Sequence, residues 1–542
     1  MSSATPDVVD AEPASGLARS MAAMTALTAL SRLTGFVRIV VVAAVLGTTF
    51  LGNVYQSANT IPNVVFELVV AGLVQAVLIP SLVARLDRGD QAEAEHVAGA
   101  VLGLTTVLLT GVAVVGALAA PWIARALFSG GGSDAARDAQ AHLGTIFLWF
   151  FLPQVVFYAA GLVATSVLNA HHRFALPAVA PLANNVVVIA ACAAFWWLRD
   201  GASPTLHLTT LETIVLAGGT TLGVLAFCGL PVLAVLRSSF RLRPNLDRHH
   251  PEVRRLARQG AWAAVFLAAS QLLLVTVLVL GNRVEGGVVA YQVAFQFFLL
   301  PYALFALPVL TGLFPTLARQ HAAADATGFV ETTERGVRTV AYLVAGAAAL
   351  LGALGGPISH AVLFGETTPR GAAQVAGALA GFAPGLLGYS LFLFASRVSY
   401  ARGDTRTPAL VNLAVVAGGS VAMAVGYAVV PDRHRVAALA VGHSLAYLAG
   451  AAALLHLVVA KEAPQRRSHL ARAVSGPAFG AAVVALVLVA GTNVVHTSTR
   501  TGALALLVGL GSAGAVAYVG LTWALGGPRP SEFVGALRGR PS

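Results

Sequence analysis

Apolar runs of about 20 residues recur along almost the whole chain, and they constrain its fold more than any other feature. A helix needs about that length to cross a bilayer. The chain has 542 residues, of which 57% are hydrophobic and only 11% are charged, whereas about a quarter of the residues of a soluble protein are charged. The sequence therefore predicts an all-α polytopic membrane protein.

Glycine, proline and charged residues divide the apolar runs into fourteen predicted transmembrane helices. Their ranges are 17–46, 53–84, 95–128, 140–169, 175–198, 209–237, 253–282, 286–318, 329–363, 371–401, 407–430, 435–460, 469–492 and 501–525. Residues 1–16 and 526–542 are expected to be tails outside the membrane, the first of them acidic, polar and disordered.

Basic residues are distributed unevenly between the loops on the two sides of the membrane. The side that carries both termini holds 23 Lys and Arg residues, the other side holds 8, and three lie inside predicted helices. Since basic residues accumulate in cytoplasmic loops, both termini are predicted to be cytoplasmic. The densest basic segment, residues 237–258, is expected either to bind lipid headgroups or to dock a cytoplasmic partner.

Three short segments recur at a nearly constant spacing. The pairs are Tyr55-Gln56-Ser57-Ala58 with Tyr291-Gln292-Val293-Ala294, Ile79-Pro80-Ser81-Leu82 with Phe314-Pro315-Thr316-Leu317, and Arg173–Ala178 with Asp404–Ala409. Their offsets of 236, 235 and 231 residues correspond to six predicted helices, so both copies cross the membrane in the same direction. This pattern predicts two parallel six-helix lobes around a central cavity, with the last two helices as an addition.

Two arginines, Arg32 and Arg38, lie inside the first predicted helix. Each is eight or more residues from the ends of its apolar run, too far for its side chain to reach the headgroups easily. Because a charge at the bilayer centre costs about 2.5–3.5 kcal/mol, such residues face a cavity, a protein interior or an anionic partner. Arg32 and Arg38 are therefore candidate substrate-binding residues. Arg397, near the end of the tenth helix, is instead expected to extend to the headgroups.

Polar residues also follow one face of the second and eighth predicted helices. Asn59, Asn63 and Glu67 are spaced four residues apart, as are Gln292 and Gln296, and this spacing places each set on a single helix face. We predict that Asn63, Glu67, Gln292 and Gln296 line the cavity with the two arginines. Glu67 is expected to be the counter-ion of one arginine, in the cavity or as a purely structural contact between helices.

Motifs for other functions are not found in the sequence. There is no phosphate-binding loop with a Walker lysine, no HExxH motif and no cluster of Cys and His, so no ATP site, metal, cofactor or catalytic residue is predicted. The net charge of +11 does not indicate nucleic acid binding, because the charges lie in short loops between apolar runs.

Several motifs resemble those of the MurJ (MviN) family of lipid II flippases in the MOP exporter superfamily. They are Ser31–Arg38, Ile61-Pro62-Asn63 with Gly72 and Gln75-Ala76, Val167–Ala170 with Arg173-Phe174 and Pro177-Ala178, and Gly403–Pro408. The resemblance covers about residues 20–525. It implies a bacterial cytoplasmic-membrane protein that moves a polyprenyl pyrophosphate-linked peptidoglycan precursor, lipid II, to the outer leaflet by alternating access. It also implies that Arg32 and Arg38 hold the pyrophosphate, since guanidinium groups bind phosphate oxygens bidentately.

Three positions differ from the family pattern. Ile39 stands where the family has an acidic residue, Phe66-Glu67 where it has an arginine pair, and Gln296 where it has an arginine. The cavity of this chain is therefore expected to carry less positive charge than is usual in the family.

The predicted organisation is an N-lobe at 17–238, a basic linker at 239–252, a C-lobe at 253–462 and a helix pair at 463–525 that forms a groove for the polyprenyl tail. Without an ATP motif, an ion gradient or the membrane potential is expected to drive transport. The alternatives are a flippase for another polyprenyl-linked glycan, a small-molecule exporter of the same superfamily, and a non-transporting scaffold. Such a scaffold would dock cell-wall synthesis or division proteins through residues 237–258.

Overall fold

The computed structural model describes residues 13–68, 72–460, 467–495 and 499–525, and every regular element in these ranges is a helix. In chain order the helices are α1 (Pro13–Leu46), α2 (Phe50–Phe66), α3 (Gly72–Leu86), α4 (Gln91–Leu127), α5 (Asp134–Phe151), α6 (Gln154–Ala170), α7 (Ala175–Leu198), α8 (Thr210–Thr213), α9 (Gly219–Leu236), α10 (Pro251–Gly281), α11 (Gly287–Pro301), α12 (Leu307–Ala322), α13 (Ala326–Ala353), α14 (Gly355–Val362), α15 (Pro369–Ala401), α16 (Arg406–Val429), α17 (Arg435–Leu455), α18 (Arg467–Val494) and α19 (Arg500–Ala524). The all-helical prediction is confirmed for these residues.

Twelve helical segments of the described residues are long and apolar enough to cross a membrane, and they correspond in order to the third to fourteenth predicted helices. The first predicted helix corresponds to α1, which begins at Pro13, four residues before the predicted start. The second corresponds to α2 and α3 together. The total of fourteen membrane-spanning helices remains a prediction, and most of the two predicted tails lies outside the described residues.

The helices begin where the sequence supplies a cap. The Thr49 side chain accepts a hydrogen bond from the Gly52 backbone N–H at the start of α2. At the start of α4, the Asp90 side chain accepts one from the Glu93 backbone N–H. Such caps satisfy backbone donors that have no partner within the helix. They explain why short turns, rather than long loops, connect these helices.

The second and eighth predicted helices are both interrupted at equivalent positions. A π-helical segment, Tyr302–Ala306, separates α11 from α12, and Glu67 and Leu68, directly after α2, have the same geometry. Glu67 and Tyr302 are 235 residues apart, which is the offset of the sequence repeat. Because π-helical turns concentrate at functional sites, both interruptions mark positions of interest.

Buried apolar side chains form clusters that follow the order of the chain. The largest cluster is built from residues 269–470 with Ala43 as its one earlier member. Two further clusters are built from residues 42–240, with Leu278 and Val288 as the only later members. A fourth cluster attaches α18 and α19 to α13. We refer to residues 13–250 as the first half and residues 251–460 as the second half.

A non-helical linker, residues 237–250, connects the two halves and lies along the beginning of α4. The Asn245 backbone N–H donates to the Gly99 carbonyl oxygen at 3.0 Å, and the Arg241 backbone N–H donates to Glu95 Oε1 at 2.8 Å. A Cβ atom on Gly99 or Gly103 would come within 2.1 or 2.0 Å of a linker carbonyl oxygen. These two glycines are therefore required for the close approach of linker and helix.

Candidate functional site

Arg32 and Arg38 lie on one continuous helix but face different parts of the molecule. Six residues correspond to about 240° of rotation on a straight α-helix, and α1 is not interrupted between them. Arg32 is exposed and lies within electrostatic range of the Tyr302 hydroxyl in the second half. Arg38 is half-buried and lies within electrostatic range of Tyr55 and Tyr158 in the first half. The two arginines therefore do not form a single cluster.

Neither guanidinium group has a protein partner in the part of the chain that the structure describes. No hydrogen-bond acceptor or ion-pair partner of Arg32 or Arg38 is found there. Because a guanidinium group inside a membrane protein is costly without a partner, both groups are available for an anionic ligand.

Phe36 places the middle of α1 against α11 of the second half. Its ring packs edge to face on Phe297, with the ring centroids 5.0 Å apart. Arg32 lies one helical turn before Phe36, and Tyr302 follows Phe297 by five residues. The exposed arginine therefore lies at the contact between the halves.

Asn63 in α2 and Glu67, directly after this helix, differ in their exposure and in their bonds. Asn63 is exposed and donates to the Asn59 carbonyl oxygen at 3.1 Å. Glu67 is half-buried and has no ion-pair partner among the described residues. No ion pair joins Glu67 to Arg32 or Arg38 among the described residues, so this pairing remains a prediction.

The two glutamines of α11 lie on the face that meets the first half. Gln292 donates a hydrogen bond to Thr60 Oγ1 at 3.2 Å across the contact between the halves. Gln296, one turn later, is half-buried and has no hydrogen-bond partner within the described ranges. The structure thus brings Gln292 to α2, while Gln296 shares its helix face by spacing and its place in the cavity remains a prediction.

The two halves meet in a contact that closes one face of the molecule. We call this contact the neutral junction, and it comprises residues 43–57 of the first half with residues 282–288 and 365–368 of the second. Asn53 donates to the Val284 carbonyl oxygen at 2.8 Å and accepts from the Val288 backbone N–H at 3.0 Å. Ser57 bonds to the side chain of Asn282 at 2.9 Å. The side-chain oxygens of Thr48 and Thr368 are 3.1 Å apart.

Two glycines with positive φ make the neutral junction close-fitting. Gly286 has φ 68° and Gly365 has φ 64°, a region that other residues rarely adopt. A Cβ atom on Gly286 would lie 2.4 Å from the Thr48 carbonyl oxygen, and one on Gly365 would lie 2.3 Å from that of Ala44. The junction was not predicted, because its partners are more than 200 residues apart in the chain.

Arg397 is a further functional candidate that sequence reasoning assigned to the headgroups. It lies near the end of α15, is exposed, and has neither a hydrogen-bond acceptor nor an ion-pair partner in the described ranges. Like Arg32, it lies within electrostatic range of the Tyr302 hydroxyl. No sequence signal could have indicated this proximity, which depends on how α1, α11 and α15 pack.

This arrangement is suited to binding an anion between the halves. Guanidinium groups bind phosphate oxygens strongly and with defined geometry, and amide side chains can bond to sugar hydroxyls. The site therefore has the chemistry of a binding and transport site for a phosphorylated, glycosylated molecule.

Comparison with known proteins agrees with this chemistry. Residues 42–509 match the family model described as lipid II flippase MurJ. The probable lipid II flippase MurJ of Vibrio cholerae is 28% identical over 386 residues, which is 69% of this chain and 70% of the relative. The lipid II flippase MurJ of Burkholderia cenocepacia is 26% identical over 404 residues, or 74% and 76% of the two chains.

Solved structures show the same fold. A lipid II flippase MurJ in an inward closed conformation superposes with a TM-score of 0.73 at 16% identity, covering 92% of this chain and 98% of that one. An inward-facing MATE multidrug transporter of the MOP superfamily superposes with a TM-score of 0.64 at 12% identity, covering 81% and 98%. Since the family model covers well over half of the sequence, this chain belongs to the lipid II flippase MurJ family.

Proposed function

We propose that this protein moves lipid II across the bacterial cytoplasmic membrane by alternating access. It is a transporter and not an enzyme. Within the family to which the chain belongs, the observation that carries the proposal is the unpaired Arg32 guanidinium at the contact between the halves. An unpaired cation inside a membrane protein is costly. Its presence at the contact between the halves is explained if an anionic headgroup binds to it during transport.

The binding roles follow from the chemistry of each side chain. Arg32 and Arg38 bind the pyrophosphate at successive positions, because they face the second and the first half respectively. Asn63, Gln292 and Gln296 bond to the glycan, and Glu67 lies on the same wall of the cavity between the halves. Closure of the neutral junction prevents the headgroup from leaving on that face of the molecule.

The predicted lobes and orientation are part of this proposal. Residues 17–238 and 253–462 act as two lobes that rock against each other and so open and close the neutral junction, and the segregated apolar clusters support this division. The face with the basic linker is cytoplasmic, as are both termini, because basic residues concentrate there. The membrane potential or an ion gradient drives the cycle, since one charge crossing 100 mV contributes about 2.3 kcal/mol.

The helices α18 and α19 provide a place for the polyprenyl tail. The Tyr518 hydroxyl donates to the Tyr342 carbonyl oxygen at 2.7 Å and fixes α19 to α13. An apolar cavity of about 420 Å³, lined mainly by alanines, lies between α13, α15 and α18. An alanine-lined cavity within the membrane is suited to a flexible hydrocarbon chain.

The test is a transport assay in cells depleted of the protein. We expect lipid II on the outer leaflet to fall on depletion and to be restored by the wild-type chain. Arg32→Ala should restore at least about tenfold less, because loss of a hydrogen bond between charged groups costs about 1.5–3 kcal/mol. Unchanged lipid II exposure after depletion would contradict the proposal, and full restoration by both Arg32→Ala and Arg38→Ala would contradict the assigned site alone.

A docking role is a second candidate function. The linker is held on α4 by its backbone and by the side chains of Asn245, Asp247 and His250. The side chains of its arginines are exposed, namely Arg237, Arg241, Arg243 and Arg248. This basic surface is suited to an acidic surface of a cell-wall synthesis or division protein. A variant with these four arginines replaced by glutamine should transport lipid II normally if docking is separate from transport, and should lose any partner recovered by crosslinking in cells.

A further inference from the structure

A groove of about 520 Å³ runs along the surface between α16 and α17. Its lining is apolar except for His434, which lies at the beginning of the groove, while Leu445 is its last lining residue on α17. Half of the ten lining residues are alanine or glycine, and these small side chains leave space between the two helices. The eleven residues from His434 to Leu445 correspond to about 16 Å along the helix. This length is close to the hydrocarbon thickness of one leaflet, about 15 Å.

The side chains around the groove are apolar and exposed. On α16 they include Val421, Val425 and Val429. On α17 they include Val441 and Leu445. Each set is spaced four residues apart, so it forms one stripe along its helix. Because both helices are long and apolar enough to cross a membrane, such a stripe meets acyl chains, and the groove opens toward lipid.

The end of the groove at His434 carries an arginine without an acidic partner. Arg433 Nε donates a hydrogen bond to His434 Nε2 at 2.9 Å, so its guanidinium group is held against a residue that lines the groove. The neighbouring Asp432 is paired with Arg435 instead, whose Nη2 lies 3.0 Å from Asp432 Oδ1. No ion pair of Arg433 is found among the described residues. The N–H groups on its two terminal nitrogens are therefore available to an anion at this end of the groove.

We infer that this groove binds one anionic phospholipid, with an acyl chain between α16 and α17 and the phosphate on Arg433. An apolar groove of leaflet depth with an unpaired cation at its end matches the division of a phospholipid into acyl chain and charged headgroup. In the orientation proposed above, the turn Asp432–His434 lies on the outer side of the membrane, so the lipid comes from the outer leaflet. Since α16 packs on α10 and α17 packs on α15, all of them helices of the second half, the site is separate from the proposed substrate site between the halves.

The test measures lipid binding to the purified full-length protein by native mass spectrometry. The probes are phosphatidylglycerol and phosphatidylcholine with the same acyl chains. The wild type should bind phosphatidylglycerol more tightly, because the choline group offsets the charge of the phosphate. Arg433→Gln should weaken phosphatidylglycerol binding by about five- to tenfold, the effect of one charged hydrogen-bonding group, and should change phosphatidylcholine binding less. Val441→Phe places a larger side chain in the groove and should weaken the binding of both lipids to the same extent.

Arg370→Gln is the matched control, because Arg370 is an exposed arginine at the beginning of α15 and does not line the groove. It should leave both affinities within about twofold of the wild-type values, as expected for a surface charge. Arg433→Lys keeps the charge and should retain most of the preference for phosphatidylglycerol. Wild-type phosphatidylglycerol binding in Arg433→Gln or in Val441→Phe, or an equal loss in Arg370→Gln, would overturn the inference.

Two further outcomes identify a different occupant. Undecaprenyl phosphate at the same concentration should not displace phosphatidylglycerol, and displacement would assign the groove to the tail of the substrate. The protein should have the mass of a monomer with bound lipid, and a dimer that Val441→Phe abolishes would assign the groove to a second copy of the chain. Either result would overturn the inference. None of these measurements depends on lipid II transport, so the proposed function stands or fails separately.

Discussion

The segment from Arg32 to Thr48, at the end of α1, has opposite environments at its two ends. From Ala43 to Thr48, the chain is held in the second half by hydrogen bonds between neutral groups, including Glu366 N–H to the Ala44 carbonyl oxygen at 2.8 Å. From Arg32 to Arg38, the same helix carries two cations without a partner in the described residues. In the proposed function the two regions therefore have separate roles: the first joins the halves, and the second offers cations to the substrate.

The neutral junction is well suited to opening and closing. Each hydrogen bond between neutral groups contributes only about 0.5–1.5 kcal/mol net, because water replaces it when the junction opens. A salt bridge in the same place would cost more to separate within a membrane. The sum of a few such bonds is comparable with the energy available from substrate binding and the membrane potential.

The largest effect is expected from locking the neutral junction. Thr48→Cys and Thr368→Cys, introduced together in a chain with Cys192→Ala and Cys228→Ala, should form a disulfide, since the native side-chain oxygens are 3.1 Å apart. Because the halves could then no longer separate there, transport of lipid II should stop and should return after reduction. The control is Thr48→Ser with Thr368→Ser. Normal transport by the fully crosslinked protein would show that this junction does not open.

Most of the fold could be predicted because hydropathy alone reports which segments cross a membrane. The repeat offset also relates Glu67 to Tyr302, where the second and the eighth predicted helices are interrupted. What could not be predicted were contacts between segments far apart in the chain, such as Asn53 with Val288.

The candidate site was predicted less well than the fold, for the same reason. Arg32 and Arg38 are correctly placed on one helix, but their separate directions depend on the uninterrupted geometry of α1. The expected pairing of Glu67 with an arginine is not seen among the described residues, and the spacing of residues within one helix does not determine their orientation toward another. Arg397 was assigned to the headgroups because the position of Tyr302 cannot be read from the sequence.

A second prediction weakens the neutral junction instead of locking it. Asn53→Ala removes both hydrogen bonds of a fully buried side chain and leaves a buried carbonyl and a buried N–H of the second half without partners. Each unsatisfied group costs about 1–3 kcal/mol, so the open state should become much more populated.

Spin labels at Asp138 and Glu285, which are exposed residues of the two halves near this junction, measure the change. Double electron–electron resonance should show a longer distance component in Asn53→Ala. Asn63→Ala is the matched control, because the hydrogen bond of Asn63 stays within the first half. Identical distance distributions in Asn53→Ala and the wild type would mean that the junction is closed by something other than these bonds.

The smallest effect concerns pH, which distinguishes the neutral junction from the charged attachment of the linker to α4. Asp247 accepts hydrogen bonds from His96 Nε2 at 3.2 Å and from the backbone N–H groups of His249 and His250 at 3.1 and 3.0 Å. The hydrogen bond from His96 is the main cause that holds the pKa of Asp247 below its usual range. Desolvation opposes it, while the two backbone hydrogen bonds and the imidazole of His250 act in the same direction as His96. A carboxyl group with a lowered pKa stabilises the folded form above its unfolded pKa of about 4 and loses that contribution as the pH falls through its folded value.

Hydrogen–deuterium exchange of the linker, corrected for the intrinsic effect of pH, should therefore be slow and constant from neutral pH to about pH 5 and should increase below about pH 4. In Asp247→Asn, the linker amides should exchange faster at neutral pH and lose this dependence on pH. The control is Asp87→Asn, a change at an exposed carboxylate of a neighbouring turn, and its linker amides should exchange as in the wild type. Amides of the neutral junction should show no corresponding transition, since no titrating side chain contributes to the hydrogen bonds described there. If the linker and the junction respond to pH in the same way, the linker is not held by Asp247, and its backbone bonds to Gly99 and Glu95 must account for its position.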